Sequence, residues 1–147
     1  MPALGGAACR IVVEGEGDDF ATVVATFLAG DDTALRAAAP AIYAYYQDVV
    51  ETVGPEWVTS IARPDDVWDH IRFGRQVVVA RDTYGDGRIY VSVECACDWE
   101  PEHGLQIIFR EGHTVTKVGP YDGHLTNASA FARDDLGDAL YVRVADL

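Results

Sequence analysis

Side chains that could do chemistry are concentrated in two short segments of the sequence. Residues 95–105 read Cys-Ala-Cys-Asp-Trp-Glu-Pro-Glu-His-Gly-Leu, and residues 119–126 read Gly-Pro-Tyr-Asp-Gly-His-Leu-Thr. Crowded carboxylates raise one another's pKa, and a nearby acid raises the pKa of a histidine, so such groups can form an acid–base pair. The candidate functional residues are Asp98, Trp99, Glu100, Glu102, His103, Asp122 and His124.

A zinc centre would need the thiols and imidazoles of the chain. The available ligands are Cys95, Cys97, His103, His113 and His124. Structural zinc sites combine four such groups at typical spacings, and Cys-x-Cys departs from the usual Cys-x-x-Cys. Cys95 also shares strand parity with Val91 and Val93, which places it in the expected core, where cysteine behaves as a small hydrophobe. We therefore assign no metal ligand and no cofactor.

Three interpretations of the two segments remain open. The first is a protein-binding or regulatory module in which Trp99 is an exposed anchor surrounded by carboxylates. The second is a metal-dependent or acid–base enzyme at the same loops, although no nucleophile elbow, phosphate-binding loop or dinucleotide fingerprint occurs. The third is architectural: Trp99 closes the end of a sheet, Glu100 accepts backbone N–H groups, and Gly104 supplies a positive φ.

The two segments together resemble a bacterial family of small proteins that is classed as a domain of unknown function. Its members carry Cys-Asp-Trp-Glu-x-Glu-His-Gly-Leu, a short hairpin and then Asp-Gly-His-Leu-Thr, which here stand at residues 97–105 and 122–126. Asp-Asp-Val-Trp at 65–68 and Tyr-Val-Ser at 90–92 extend the resemblance over about the C-terminal two-thirds of the chain. It implies that the two loops belong to one recurring design, and it implies no activity.

The charge balance narrows the class of partner. The chain has 147 residues with 11 basic and 24 acidic side chains, which gives a formal net charge of −13. A nucleic-acid backbone or an anionic membrane requires a basic surface, so neither is an expected partner. A basic protein is the expected partner, and bacterial immunity proteins that neutralise basic toxins share this physical profile.

The sequence also indicates a compartment. The N-terminus has no basic segment before its apolar stretch, and no apolar run approaches the ~20 residues of a membrane span. Three cysteines are too few for a disulfide framework and are expected to be thiols. We expect a cytoplasmic protein.

The first half of the chain has helical periodicity. Asp18 or Asp19 can begin a helix whose apolar residues follow from Phe20 to Leu28 at helical spacing, and Gly30 ends it. A second helical stripe runs over residues 35–53, and Pro40 predicts a kink or two abutting helices there. Tyr43, Tyr45 and Tyr46 lie on that stripe and are expected to pack in the core. Pro64 begins a short helix that Gly74 ends.

The second half has strand periodicity. Strands are predicted at 76–81, 89–97, 105–109, 114–118 and 140–144, and a further short strand at 9–14. The predicted fold is α+β, a single domain over residues 1–147 with a helical part at about 18–73 and a sheet part at about 76–147. The N-terminal helices pack on one face of an antiparallel sheet of about four or five strands. A homodimer would cover an open edge strand.

Overall fold

The computed structural model describes all residues, 1–147, as a five-stranded sheet with helices. The strands are β1 Arg10–Glu14, β2 Ile71–Arg81, β3 Ile89–Cys97, β4 Leu105–Arg110 and β5 Thr114–Gly119. The helices are α1 Asp18–Ala29, α2 Thr33–Ala37, α3 Ala39–Val53 and α4 Asn127–Phe131. Short 3₁₀ helices span Pro2–Leu4, Pro55–Trp57, Pro64–His70, Asp134–Leu136 and Val144–Asp146. The fold is therefore α+β, as predicted.

The sheet is mixed, so the prediction of a purely antiparallel sheet is wrong. Strands β2 to β5 form the predicted antiparallel meander, and β1 pairs in parallel with β2. Parallel neighbours need a long crossover connection, and the helical segment between β1 and β2 supplies it. The direction in which β1 pairs depends on that crossover and not on its own five residues.

One face of the sheet carries the main hydrophobic core. Phe20, Val23 and Phe27 of α1 and Ile42 of α3 are buried in it. Phe27 contacts Phe109 of β4 edge-to-face, with the ring centroids 5.2 Å apart. Helices α1, α2 and α3 thus hold the first face as expected, because their apolar stripes recur at helical spacing.

The second face is also covered, which corrects the expectation that all helices are N-terminal and lie on one side. Tyr90, Gln106, Ile108 and Lys117 point to that face and are buried. Part of the chain after β5 lies over it: Leu125 lines a groove with Gln106, and α4 lines another with Arg110. Thr126 caps α4 by accepting a hydrogen bond from the N–H of Ser129 at 3.0 Å.

Several predicted boundaries shift. Helix α2 ends at Ala37 and α3 begins at Ala39 with Pro40 in its first turn, in agreement with the prediction of abutting helices. The helix that begins at Pro64 is a 3₁₀ helix and ends at His70, so the predicted stop at Gly74 is wrong. Gly74 lies inside β2, beside a register shift between Phe73 and Val77. It fits there because a Cβ would lie 2.9 Å from the carbonyl oxygen of Glu94.

The predicted strand at 140–144 does not form. Instead, one residue of this segment contacts the edge of β5, and the next residue contacts α3. The N–H of Val118 donates to the carbonyl of Leu140 at 2.7 Å, so the segment covers part of the β5 edge. The next residue, Tyr141, donates its hydroxyl to Asp48 of α3 at 2.6 Å, which draws the chain away from the sheet. None of the helices has the length and hydrophobicity that crossing a membrane requires.

Candidate functional site

The loop between β3 and β4 is anchored by Trp99. Its side chain is only 3% exposed, so the expected exposed anchor is wrong. The indole contacts Tyr45 and Tyr46 of α3 edge-to-face, with centroid separations of 5.8 and 6.0 Å. Such aromatic contacts add to the stabilisation that burial provides. Trp99 therefore closes this end of the sheet, as the architectural interpretation predicts.

Glu100 organises the turn that follows. Its Oε1 accepts the backbone N–H of Glu102 at 3.0 Å and that of His103 at 3.3 Å. Its Oε2 lies 2.8 Å from Nδ1 of His103. Burial on its own would raise the pKa of Glu100, but the bonds from the His103 side chain and from the two backbone groups lower it overall. The carboxylate is therefore ionised and occupied inside its own loop.

His103 is the exposed partner of this pair. Its side chain is 56% exposed, and the hydrogen bond to Glu100, together with the charge of that group, raises the pKa of His103 above 6.5. The next residue, Gly104, has φ +67°, and a Cβ there would lie 2.4 Å from the carbonyl oxygen of Cys95. Its own carbonyl accepts the hydroxyl of Tyr45 at 2.8 Å. The close approach to Cys95 and the hydrogen bond from Tyr45 therefore hold the turn in place.

Asp98 faces a different set of partners. Its Oδ1 accepts Nη1 of Arg72 at 2.7 Å, and its Oδ2 lies 2.9 Å from Nδ1 of His70. These hydrogen bonds, first from Arg72 and then from His70, lower the pKa of Asp98. Neither partner was among the candidate residues predicted from the sequence. Their neighbour position follows from the register of β2 against β3, which pairs Arg72 with Ala96.

The second loop contains a buried ion pair that sequence analysis also missed. Lys117, the sole lysine of the chain, has a side chain only 2% exposed. Its Nζ donates to Asp122 at 2.7 Å and to Oε1 of Gln106 at 3.0 Å. Asp122 also accepts the N–H of His124 at 2.9 Å, and Nδ1 of His124 lies 3.1 Å from the hydroxyl of Ser129. The signal that could have indicated this pair is the position of a single lysine among the apolar residues of a predicted strand.

The two loops lie next to each other, since the N–H of Tyr121 donates to the carbonyl of His103 at 3.4 Å. The candidate side chains nevertheless divide into separate bonded groups. Asp98 bonds to residues of β2 and the preceding 3₁₀ helix, Glu100 bonds to His103, and Asp122 bonds to Lys117.

Two adjoining grooves on the second face run along these loops. One, of about 320 Å³, is bordered by Glu102 and His103. The other, of about 300 Å³, is bordered by Tyr121. Gln76 and Glu94 line both grooves. We call this surface the double groove. The side chains of Glu94 and Glu102 form no ion pair with the protein's own cations.

The cysteines and histidines do not assemble a zinc centre. Cys95 and Cys97 are buried free thiols, and burial raises the pKa of Cys97 to about 11. Neither is therefore an activated nucleophile at neutral pH. Nδ1 of His113 lies 2.6 Å from the hydroxyl of Thr114, in the turn after β4. The ligand atoms that do cluster, within 4.8 Å of one another, belong to Glu100, Glu102 and His103.

Comparison with known proteins places the chain in a family. No curated protein and no solved structure matches it. The sequence profile of one family matches residues 1–125, which include α1 to α3 as well as both motif loops up to Leu125. The match thus extends beyond the C-terminal two-thirds on which the resemblance rested. With this much of its 147 residues matched, the chain belongs to the family described as Domain of unknown function (DUF6985).

Proposed function

We propose that the protein is a binding module that holds a basic protein partner at the double groove. The observation that carries the proposal is the convergence of both motif loops on one surface around Glu94. The 98–104 loop borders one groove, the 121–125 loop borders the other, and Glu94 lies where they join. Because the two grooves adjoin, both segments can contact the same partner although their candidate carboxylates do not bond to each other.

Charge supports a basic partner. Seven of the ten arginines and the single lysine form ion pairs within the protein, which leaves Arg10, Arg75 and Arg88 without an acidic partner. Arg75 lines the first groove, where Glu94 and Glu102 outnumber it. A guanidinium or ammonium group from a partner would form ion pairs with these carboxylates. The net charge of −13 would increase the rate of association with a basic partner.

The residues of the two loops then have different roles. Trp99, Glu100 and Gly104 fix the loop, and Glu94 and Glu102 contact the partner. His103 carries a positive charge when protonated, so it limits affinity as the pH falls below its raised pKa. A basic toxin neutralised by an immunity-type protein is one partner class with the required chemistry.

The test is a matched pair of double variants. Glu94→Gln with Glu102→Gln removes two charges from the double groove, and Glu111→Gln with Asp146→Asn removes two charges from exposed sites elsewhere. None of these four side chains forms an ion pair, so all four changes should leave the fold intact. Each immobilised protein is exposed to a lysate of its own cells, and captured proteins are identified by mass spectrometry.

We expect the wild type and the Glu111/Asp146 control to capture the same basic proteins, and the Glu94/Glu102 variant to lose them. Equal capture by all three proteins would contradict the proposal. Equal loss in both variants would show that net charge alone attracts these proteins, without a defined surface.

A metal or acid–base site is the second candidate, because Glu100, Glu102 and His103 offer three ligand atoms within 4.8 Å. It is the weaker candidate, since Glu100 already accepts two backbone N–H groups and contacts His103. Native mass spectrometry with added Zn²⁺ tests it. A stoichiometric mass increment that His103→Ala abolishes would favour this candidate over partner binding.

A further inference from the structure

The outer edge of β1 is open. Arg10–Glu14 pairs with β2 on one side, and no backbone hydrogen bond reaches the strand from the other side. The opposite edge of the sheet differs, because Leu140 accepts a hydrogen bond from Val118 of β5 there. An exposed edge strand presents unpaired N–H and C=O groups that can pair with another strand.

An apolar groove accompanies the open edge. It has a volume of about 430 Å³ and lies between the end of β1 and α1, where Val13, Phe20, Val24 and Leu28 line it. Val13 is 42% exposed and Leu28 is 46% exposed. The edge therefore offers both backbone hydrogen bonds and apolar area to an incoming strand.

Strand β1 carries one basic and one acidic side chain, at its opposite ends. Arg10 and Glu14 lie on the same face of the strand, since residues four apart in a strand share a face. Arg10 contacts only the side-chain oxygen of Gln76, at 3.3 Å, and forms no ion pair. Glu14 forms no ion pair either. An acid and a base, both without charged partners, thus stand at the two ends of a five-residue open strand.

We propose that β1 pairs antiparallel with β1 of a second copy of this chain, about a two-fold axis at Val12. Full overlap of the two five-residue strands sets Arg10 of each copy opposite Glu14 of the other. On the other face it sets Ile11 opposite Val13 and brings the two apolar grooves together beside the axis. Contacts of this reciprocal kind define a two-fold dimer, and here they join two sheets into one.

A self-complementary pattern favours a second copy over a different partner. An unrelated basic strand would satisfy Glu14 but would oppose Arg10, whereas the two-fold arrangement satisfies both residues twice. The interaction uses an edge of the sheet, and the Glu94/Glu102 variant that tests the proposed function leaves that edge unchanged. Glu14 also borders the second groove, whereas Arg10 lines neither groove, so Arg10→Glu is the variant that tests dimerisation without changing a residue of the double groove.

Charge reversal tests the register. The mass of the full chain in solution is measured by light scattering after gel filtration at high micromolar concentration. We expect the wild type to be a dimer, and Arg10→Glu or Glu14→Arg to weaken dimerisation by about tenfold or more, because each change sets two like-charged pairs face to face. Arg88→Glu and Glu111→Arg are the matched controls, because both residues are exposed and unpaired, and these variants should remain dimeric.

Rescue makes the experiment specific. An equimolar mixture of the Arg10→Glu and Glu14→Arg proteins should form a heterodimer, since one edge then carries two carboxylates and the other two guanidinium groups. The double variant Arg10→Glu with Glu14→Arg should dimerise again. A monomeric wild type, dimers that persist in both single variants, or a mixture that stays monomeric would each overturn the proposal.

Discussion

The buried Lys117–Asp122 pair allows a quantitative test of how the second loop is held. The ammonium group is almost fully enclosed, and burial lowers the pKa of Lys117, an effect that Asp122 offsets only in part. The Asp122 side chain is 34% exposed, so water reaches that end of the pair. Replacing Asp122 by alanine leaves the ammonium with Gln106 as its one remaining partner.

The cost of Asp122→Ala has two parts. Removal of one partner from a fully buried ion pair costs about 3–5 kcal/mol, and the exposure of Asp122 and the remaining contact to Gln106 reduce this to about 2 kcal/mol. Loss of the hydrogen bond from the N–H of His124 adds about 1 kcal/mol. In a Lys117→Met protein no buried charge is stranded, so the same Asp122→Ala change should cost only the latter, about 1 kcal/mol.

The assay is urea unfolding followed by tryptophan fluorescence, in which equal slopes for all variants show that the comparison is valid. The total costs are about 3 kcal/mol in the wild type and about 1 kcal/mol in the Lys117→Met protein. In a thermal scan they correspond to falls in the melting temperature of about 9 °C and about 3 °C, at about 3 °C per kcal/mol. If Asp122→Ala costs the same in both proteins, then Lys117 and Asp122 are not coupled. The bonded link between β5 and the second loop would then be refuted.

Two further predictions concern the first loop. An NMR titration should give His103 a pKa above 6.5, and Glu100→Gln should lower the pKa toward its ordinary range, since Glu100 is the largest cause of the shift. Because the folded-state pKa of His103 lies above that of the unfolded chain, the stabilisation from its protonation is present below about pH 6.5, while Glu100 stays ionised, and is lost as the pH rises through the raised pKa. Glu100→Gln should abolish that pH dependence of stability. Gly104→Ala should destabilise the protein by about 1–3 kcal/mol more than Gly123→Ala, because both glycines have positive φ but only a Cβ at position 104 meets an atom, the carbonyl oxygen of Cys95. Equal losses in urea unfolding would contradict the close approach.

Local patterns predicted the elements well because their causes are local. The stripe from Phe20 to Phe27 has helical spacing, and α1 forms there. Pro40 lacks the N–H that a continuous helix needs, so α3 begins beside it. The predicted burial of Tyr45 and Tyr46 is also confirmed. Alternation in β3 and β4 placed Cys95 in the core correctly.

The errors concern contacts between distant segments. Trp99 stands in an acidic loop, and only the position of α3 shows that two tyrosines cover it. The direction of β1 depends on a crossover longer than any local pattern. The apolar alternation after Leu140 has the period of a strand, but Tyr141 bonds to Asp48 on a helix instead of continuing along the sheet. The contact of Asp98 with Arg72 likewise depends on the register of β2 against β3.

The double groove is tested most directly by mapping where a basic ligand binds. Backbone amide shifts of the isotope-labelled protein are recorded by NMR during titration with a nona-arginine peptide at low salt. Binding at the double groove should give saturable shifts concentrated at Glu94, Glu102, His103 and Tyr121, which disappear at high salt because screening weakens exposed charge contacts. Shifts spread evenly over the acidic residues, or concentrated at the opposite end of the sheet around Glu111, would contradict it.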